Sequence, residues 1–170
     1  MVLSGLLGSC SSGSNQTASQ KARSQAMMAI YEKYDKLTSD FIISDATKAA
    51  VAAQDVKKAL GNIDSKSVSA DDMKPWNDLT QKANPELDSI IQSKDIKQQR
   101  IHFAILSQAI YIALKAIGIS GQTIYYQHCP MFNQDHGGSY WLSKQEDINN
   151  PYFGNDMLNC GETVESLKSK

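Results

Sequence analysis

A mainly α protein, an up-and-down antiparallel four-helix bundle with an irregular C-terminal extension holding a short β-hairpin, is the fold this sequence predicts. Three observations carry that expectation. Apolar residues recur at three- and four-residue spacing through four successive segments between residues 23 and 118, the period of helices with one buried face. The breaks between them are short and polar, and short loops join antiparallel neighbours. After Gly118 the pattern turns to β-branched and aromatic runs. The chain has 170 residues, 41% of them hydrophobic. A domain of that length buries roughly two thirds of its unfolded surface and builds a core without metal or disulfide.

The first helix carries Met27, Ile30, Tyr31, Tyr34, Leu37 and Phe41 on one face, with Lys33, Asp35 and Lys36 outside. Ser44 or Asp45 caps the second by accepting from a free backbone N–H. That helix turns Ala49, Ala52, Ala53, Val56 and Leu60 inward and stops at Gly61, a residue suited to a left-handed C-terminal position. The third opens at Ser69-Ala70-Asp71-Asp72, a capping box, with Pro75 in its first turn. Asn84-Pro85 should kink it or restart it with Asn84 as cap, because Pro85 has no N–H to give. Asp95 caps the fourth, which runs to about Gly118. There Ile96, Phe103, Ile110 and Ile117 repeat every seven residues, and Ile101, Ile105 and Ile112 widen the stripe, so burial most of the way round is expected. In the extension, Thr123-Ile124-Tyr125-Tyr126 and Ser139-Tyr140-Trp141-Leu142 pair across an Asp135-His136-Gly137-Gly138 turn.

Charge excludes some functions. With 17 Lys and Arg against 18 Asp and Glu, the chain lacks the basic excess that nucleic-acid phosphates require. The extension from residue 118 onward is locally acidic, holding 3 Lys against 6 Asp and Glu. Residues 1–10 form a short apolar run ending Leu7-Gly8-Ser9-Cys10, which resembles the lipobox of bacterial lipoproteins, whose Cys is acylated. The resemblance implies a membrane anchor at Cys10, with the Ser/Gly/Asn/Gln stretch 11–22 as a flexible tether. No Lys or Arg precedes the run, and it is shorter than an ordinary signal core.

The chemistry-bearing residues gather in the extension. An extended 123–131 would put Cys129 and Met131 on one face, and a helical turn over 155–160 would do the same for Met157 and Cys160. Two thiolates and two thioethers then converge, with His128 or His136 at the edge. Such sulfur donors suit Cu(I), and imidazole would extend the set to Cu(II) or Zn(II). His102 reads as a satisfied or surface histidine, and Met27 and Met28 as core filler. Enzyme signals are weak. The chain has no phosphate loop, zinc-protease helix, nucleophile elbow or haem motif, and His128 and Cys129, as strand neighbours, face opposite ways.

The set His128-Cys129-Pro130-Met131, Gly138-Ser139-Tyr140-Trp141-Leu142-Ser143, Asn150-Pro151-Tyr152-Phe153-Gly154 and Met157-Leu158-Asn159-Cys160-Gly161 resembles an uncharacterised bacterial domain. That domain occurs in periplasmic proteins and lipoproteins and fused to periplasmic adaptor subunits of heavy-metal efflux pumps. The resemblance implies a lipid-anchored envelope protein, in the periplasm or on the outer surface, linked to copper or silver handling. Cys129, Met131, Met157 and Cys160 are its carried-over metal ligands, and efflux pump or adaptor components are its partners. Related metal modules continue Cys-Pro-Met with His-Pro, where this chain has Phe132-Asn133. In an oxidising compartment Cys129 and Cys160 would instead form a disulfide, closing a loop of about 30 residues and stabilising the domain by about 3–4 kcal/mol. The expectation is a non-catalytic, membrane-tethered protein that binds or delivers Cu(I). Its alternative is an interaction module stapled by that disulfide and docking an envelope partner.

Overall fold

The computed structural model describes residues 18–63 and 70–169. Four helices come first: α1 (Ala18–Ile42), α2 (Ala46–Gly61), α3 (Ala70–Gln92) and α4 (Ile96–Ile117). α1 packs on α2, α2 on α3, α3 on α4 and α4 back on α1, the ring expected of an up-and-down bundle. The anticipated inward residues of α1 and α2 are all buried, with Tyr31, Tyr34, Phe41 and Val56 wholly so. Tyr34 keeps its hydroxyl satisfied inside this core. It shares a 2.7 Å hydrogen bond with Ser107 and accepts one from the Leu142 N–H at 3.2 Å. Burial pushes its pKa up to about 12.

Asp45 and Asp95 cap α2 and α4, accepting from the N–H groups of Lys48 and Lys97 at 2.9 and 2.8 Å. Other boundaries differ from expectation. α1 begins at Ala18, inside the stretch 11–22 read as a tether, where Ala18, Gln20, Lys21 and Ala22 favour helix and the buried Ser24 hydroxyl bonds the Lys21 carbonyl. Cys10, the apolar run before it and Ser69 of the capping box lie outside the described residues. Gly61 is the last helical residue of α2, and its C-cap is Asn62 at φ −93°, so no left-handed glycine is used.

α3 passes through both prolines unbroken. Pro85 withholds one N–H, yet Ala83, Leu87 and Ile90 around it are wholly buried, and that packing holds the helix together across the missing bond. Asn84 is not a cap, since its side-chain oxygen finds no donor. α4 is not buried all round either. Ile101, Ile105 and Ile112 are 39, 47 and 46% exposed, because α1, α3 and the sheet cover the other sides of the helix. Among the described residues α4 alone is long and apolar enough to cross a membrane, and here it packs in the core.

The extension forms a three-stranded antiparallel sheet, order β2-β1-β3, from β1 (Ile124–Cys129), β2 (Ser139–Ser143) and β3 (Glu162–Leu167). The β1–β2 hairpin is the anticipated one, in register from Tyr125↔Ser143 to Cys129↔Ser139. β3 was not anticipated. It pairs with β1 from Ile124↔Leu167 to His128↔Glu162, with a bulge at Tyr126/Gln127. β2 rests on α4 and α1.

Candidate metal centre

β1 ends at Cys129, and the pairing of His128 with Glu162 sets the residues just before β3 beside that end. Register therefore delivers Cys160 to Cys129, and the two thiol sulfurs stand 4.0 Å apart. Cys129 is wholly buried, whereas Cys160 is partly exposed. Gly161 permits this approach. It sits at φ +146°, and a Cβ there would lie 2.6 Å from the His128 carbonyl oxygen and 2.9 Å from the Trp141 ring. The buried Asn150 clasps the other side. Its Nδ2 donates to the Cys160 carbonyl at 2.6 Å, while its Oδ1 accepts from the N–H groups of Tyr152 and Phe153 at 2.7 and 3.3 Å. The Asn150-Pro151 pair, which reads as a plain turn, thus fixes the backbone that carries one thiol.

The remaining candidates sit on the turns that flank the thiol pair or on the other face of β1. β1 stops at Cys129, so strand alternation does not extend to Met131, which is 49% exposed in the following turn. Met157, 37% exposed, ends the 3-10 turn Gly154–Asp156, and that turn finishes short of Cys160. The Cys160 N–H still bonds the Met157 carbonyl at 3.1 Å, keeping the two residues in one tight turn. His128 points to the opposite strand face from Cys129. Its ring stacks on Tyr140 with centroids 4.4 Å apart, its Nε2 donates to the Gly137 carbonyl at 2.9 Å, and its Nδ1 is 3.7 Å from Glu162 Oε1. His136 is exposed on the 3-10 turn Gln134–His136 of the hairpin loop. His102 is satisfied by Glu86, with Nδ1 2.8 Å from Oε2.

The chemistry available to the thiol pair follows from its surroundings. Burial raises the Cys160 pKa and the neighbouring Cys129 raises it further, so the group stays a neutral thiol at pH values where a free cysteine begins to ionise. In the reduced protein, Cys160 alkylation by iodoacetamide is expected to be slow at pH 7 and to inflect above roughly 8.5, the ordinary thiol value. Rates followed by mass spectrometry across pH test this; an inflection at or below that value rejects it. Thiolates about 2.3 Å from a shared ion at tetrahedral angles lie about 3.8 Å apart, close to the spacing here. Among the described residues no three His, Cys, Asp or Glu side chains cluster to hold a metal. A third donor would be a thioether.

Two further residues organise this region without any sequence motif. Arg100, buried on α4, donates from Nε to the Pro151 carbonyl at 2.8 Å and from Nη2 to the Phe41 carbonyl at 3.0 Å and Ser44 Oγ at 2.8 Å. It ties the 150–154 turn to the end of α1. Gln127 bonds the carbonyls of Gln145 and Glu146 at 3.1 and 3.0 Å, holding the chain that leaves β2. Neither has a local signal, since each partner is remote in sequence or a bare backbone carbonyl.

No curated protein and no solved structure matches this chain. A family model described as "Protein of unknown function (DUF3347)" matches residues 30–122, more than half of the chain, and the chain belongs to that family. The match spans the bundle from within α1 and stops just before β1.

Proposed function

We propose that this DUF3347 protein is a non-catalytic lipoprotein of the cell envelope, anchored through Cys10. In this reading it binds or delivers a soft metal ion, copper as Cu(I), beside components of a heavy-metal efflux pump or its adaptor. The observation that carries the reading is the 4.0 Å spacing of two free thiols at the end of a strand, a gap suited to one shared ion. Met131 follows one thiol by two residues and Met157 precedes the other by three, both at the surface where an arriving ion meets them first. Thiolate and thioether donors favour Cu(I) over harder cations. A catalytic cysteine is disfavoured by the complete burial of Cys129 and by His128 facing away from it. The lipobox-like run and the tail motifs support the envelope setting and the efflux partners.

Titration of the reduced protein with Cu(I) against a chromophoric chelator tests the proposal. Cys129→Ser or Cys160→Ser is expected to weaken binding at least about a hundredfold, and Met131→Leu or Met157→Leu about tenfold, with unchanged far-UV circular dichroism. Affinities equal to the parent in all four variants overturn it.

The burial of Cys129 favours a second reading, in which the pair closes as a disulfide and staples the tail of an interaction module. Mass spectrometry of the native protein under alkylation separates the two. Two alkylated cysteines with a metal adduct support the metal site, and an unreactive, metal-free pair supports the staple.

A further inference from the structure

α3 and α4 share an outward face with a row of exposed side chains, and at one end of it Lys115 of α4 meets Glu165 of β3. On α4, Ile101, Ile105, Gln108, Ile112 and Lys115 are all exposed, and their 4-3-4-3 spacing is that of a helix seam made to meet another helix. Beside this stripe runs a groove of about 220 Å³ between the helices, bordered on the α3 side by Lys74, Asp78 and Lys82. One turn further along, Glu86 reaches His102 of α4. The α3 border therefore reads cation, anion, cation, anion at four-residue steps. Reversed, that row becomes its own complement.

We propose that this face is the interface between two copies of the chain, packed antiparallel about a two-fold axis that passes beside Gln108. The contact between Glu86 and His102 sets the relative height of the two antiparallel helices. Stepping six residues from each toward the centre brings Thr80, the midpoint of the charge row, level with Gln108, the midpoint of the isoleucine stripe. One axis thus serves both rows. Lys74 and Asp78 pair within each chain at 2.5 Å; across the axis Lys74 also faces Glu86 of the second copy, Asp78 faces Lys82, and Ile105 lies beside Ile112. Gln108 meets its own symmetry mate, and a carboxamide both donates and accepts, so the pair is self-complementary. The stem of Lys115 lies toward Ile101 of the second copy while its ammonium stays on Glu165 at 2.7 Å. With a formal charge of −1 per chain, net repulsion between two copies is weak.

Sedimentation velocity on the full chain under reducing conditions tests the interface. The parent is expected to shift from 18.7 kDa toward twice that mass as concentration rises from about 1 to 100 µM. Ile112→Glu and Asp78→Lys should each raise the dimer Kd at least about tenfold. Asp78→Lys combined with Lys82→Asp should bring it back toward the parent value, because the swap restores opposite charges across the axis. Far-UV circular dichroism checks that each variant is folded. A parent that stays monomeric throughout overturns the proposal. So does a dimer that neither single change weakens, or a swap that fails to rescue.

Discussion

Replacing Arg100 with Met is expected to cost about 3 kcal/mol of folding stability and to loosen the C-terminal sheet from the bundle before the helices melt. Arg100 is 7% exposed and gives three hydrogen bonds, to Pro151, Phe41 and Ser44, which belong to two elements remote from it in sequence. Hydrogen bonds from a charged donor contribute about 1.5–3 kcal/mol each, and removal leaves buried carbonyls without a partner. Burial does oppose the charge and lowers the Arg100 pKa. An apolar side chain of similar length relieves that desolvation, but it supplies no donor to the Pro151 carbonyl. Arg100→Lys should recover little, since one ammonium does not reproduce the planar fork that reaches both sides. Urea unfolding gives the magnitude, and the near-ultraviolet dichroism of Trp141 and Tyr152 reports the tail. A loss below about 0.5 kcal/mol, or tail and bundle signals moving together, refutes this role.

Gly138→Ala is expected to be as damaging, while Gly137→Ala beside it is mild. Both residues have positive φ, +87° and +82°, so each alanine carries the left-handed cost of roughly 1–2 kcal/mol. At Gly137 nothing lies within 4 Å of a new Cβ. At Gly138 that atom would fall 2.3 Å from His128 Nε2, 2.6 Å from the Cys129 carbonyl oxygen and 2.9 Å from Pro130 Cα. Two of these are backbone atoms, which no side-chain rotation removes, and such overpacking adds about 1–3 kcal/mol. The expected loss at Gly138 is therefore about 3 kcal/mol or more, against about 1–2 at Gly137. Equal urea midpoints for the two variants would show that the turn yields freely. The clash would also displace the backbone of Cys129, so the surviving fold of Gly138→Ala should bind Cu(I) less well than Gly137→Ala does.

The site was legible in part. The two cysteines were expected to meet, and their sulfurs do stand together. Alternation would pair Met131 with Cys129, but the strand ends at Cys129, and the helical turn that would pair Met157 with Cys160 ends at Asp156. A local rule for side-chain direction holds only while the local structure continues, and Pro130 ends it. Arg100 carries no local signal of its role. It follows Lys97-Gln98-Gln99 and looks like one more polar residue opening a helix, while its acceptors are backbone carbonyls 51 and 59 residues away.

What could be read from residue order alone was whatever neighbours along the chain enforce. The helical faces follow from a 3.6-residue period, the caps at Asp45 and Asp95 from short polar side chains beside free N–H groups, and the hairpin from two aromatic runs around a glycine pair. Long-range packing settled the rest. Glu162–Leu167 is polar at four of its six positions and becomes a strand because β1 offers it backbone partners. α3 survives Pro85 because its buried face is held by α2 and α4. The isoleucines of α4 are equally apolar in the sequence, and it is the placement of α1, α3 and the sheet that leaves Ile101, Ile105 and Ile112 outside. Hydrophobicity records how strongly a side chain avoids water, whereas which side chains succeed depends on where the other elements come to lie.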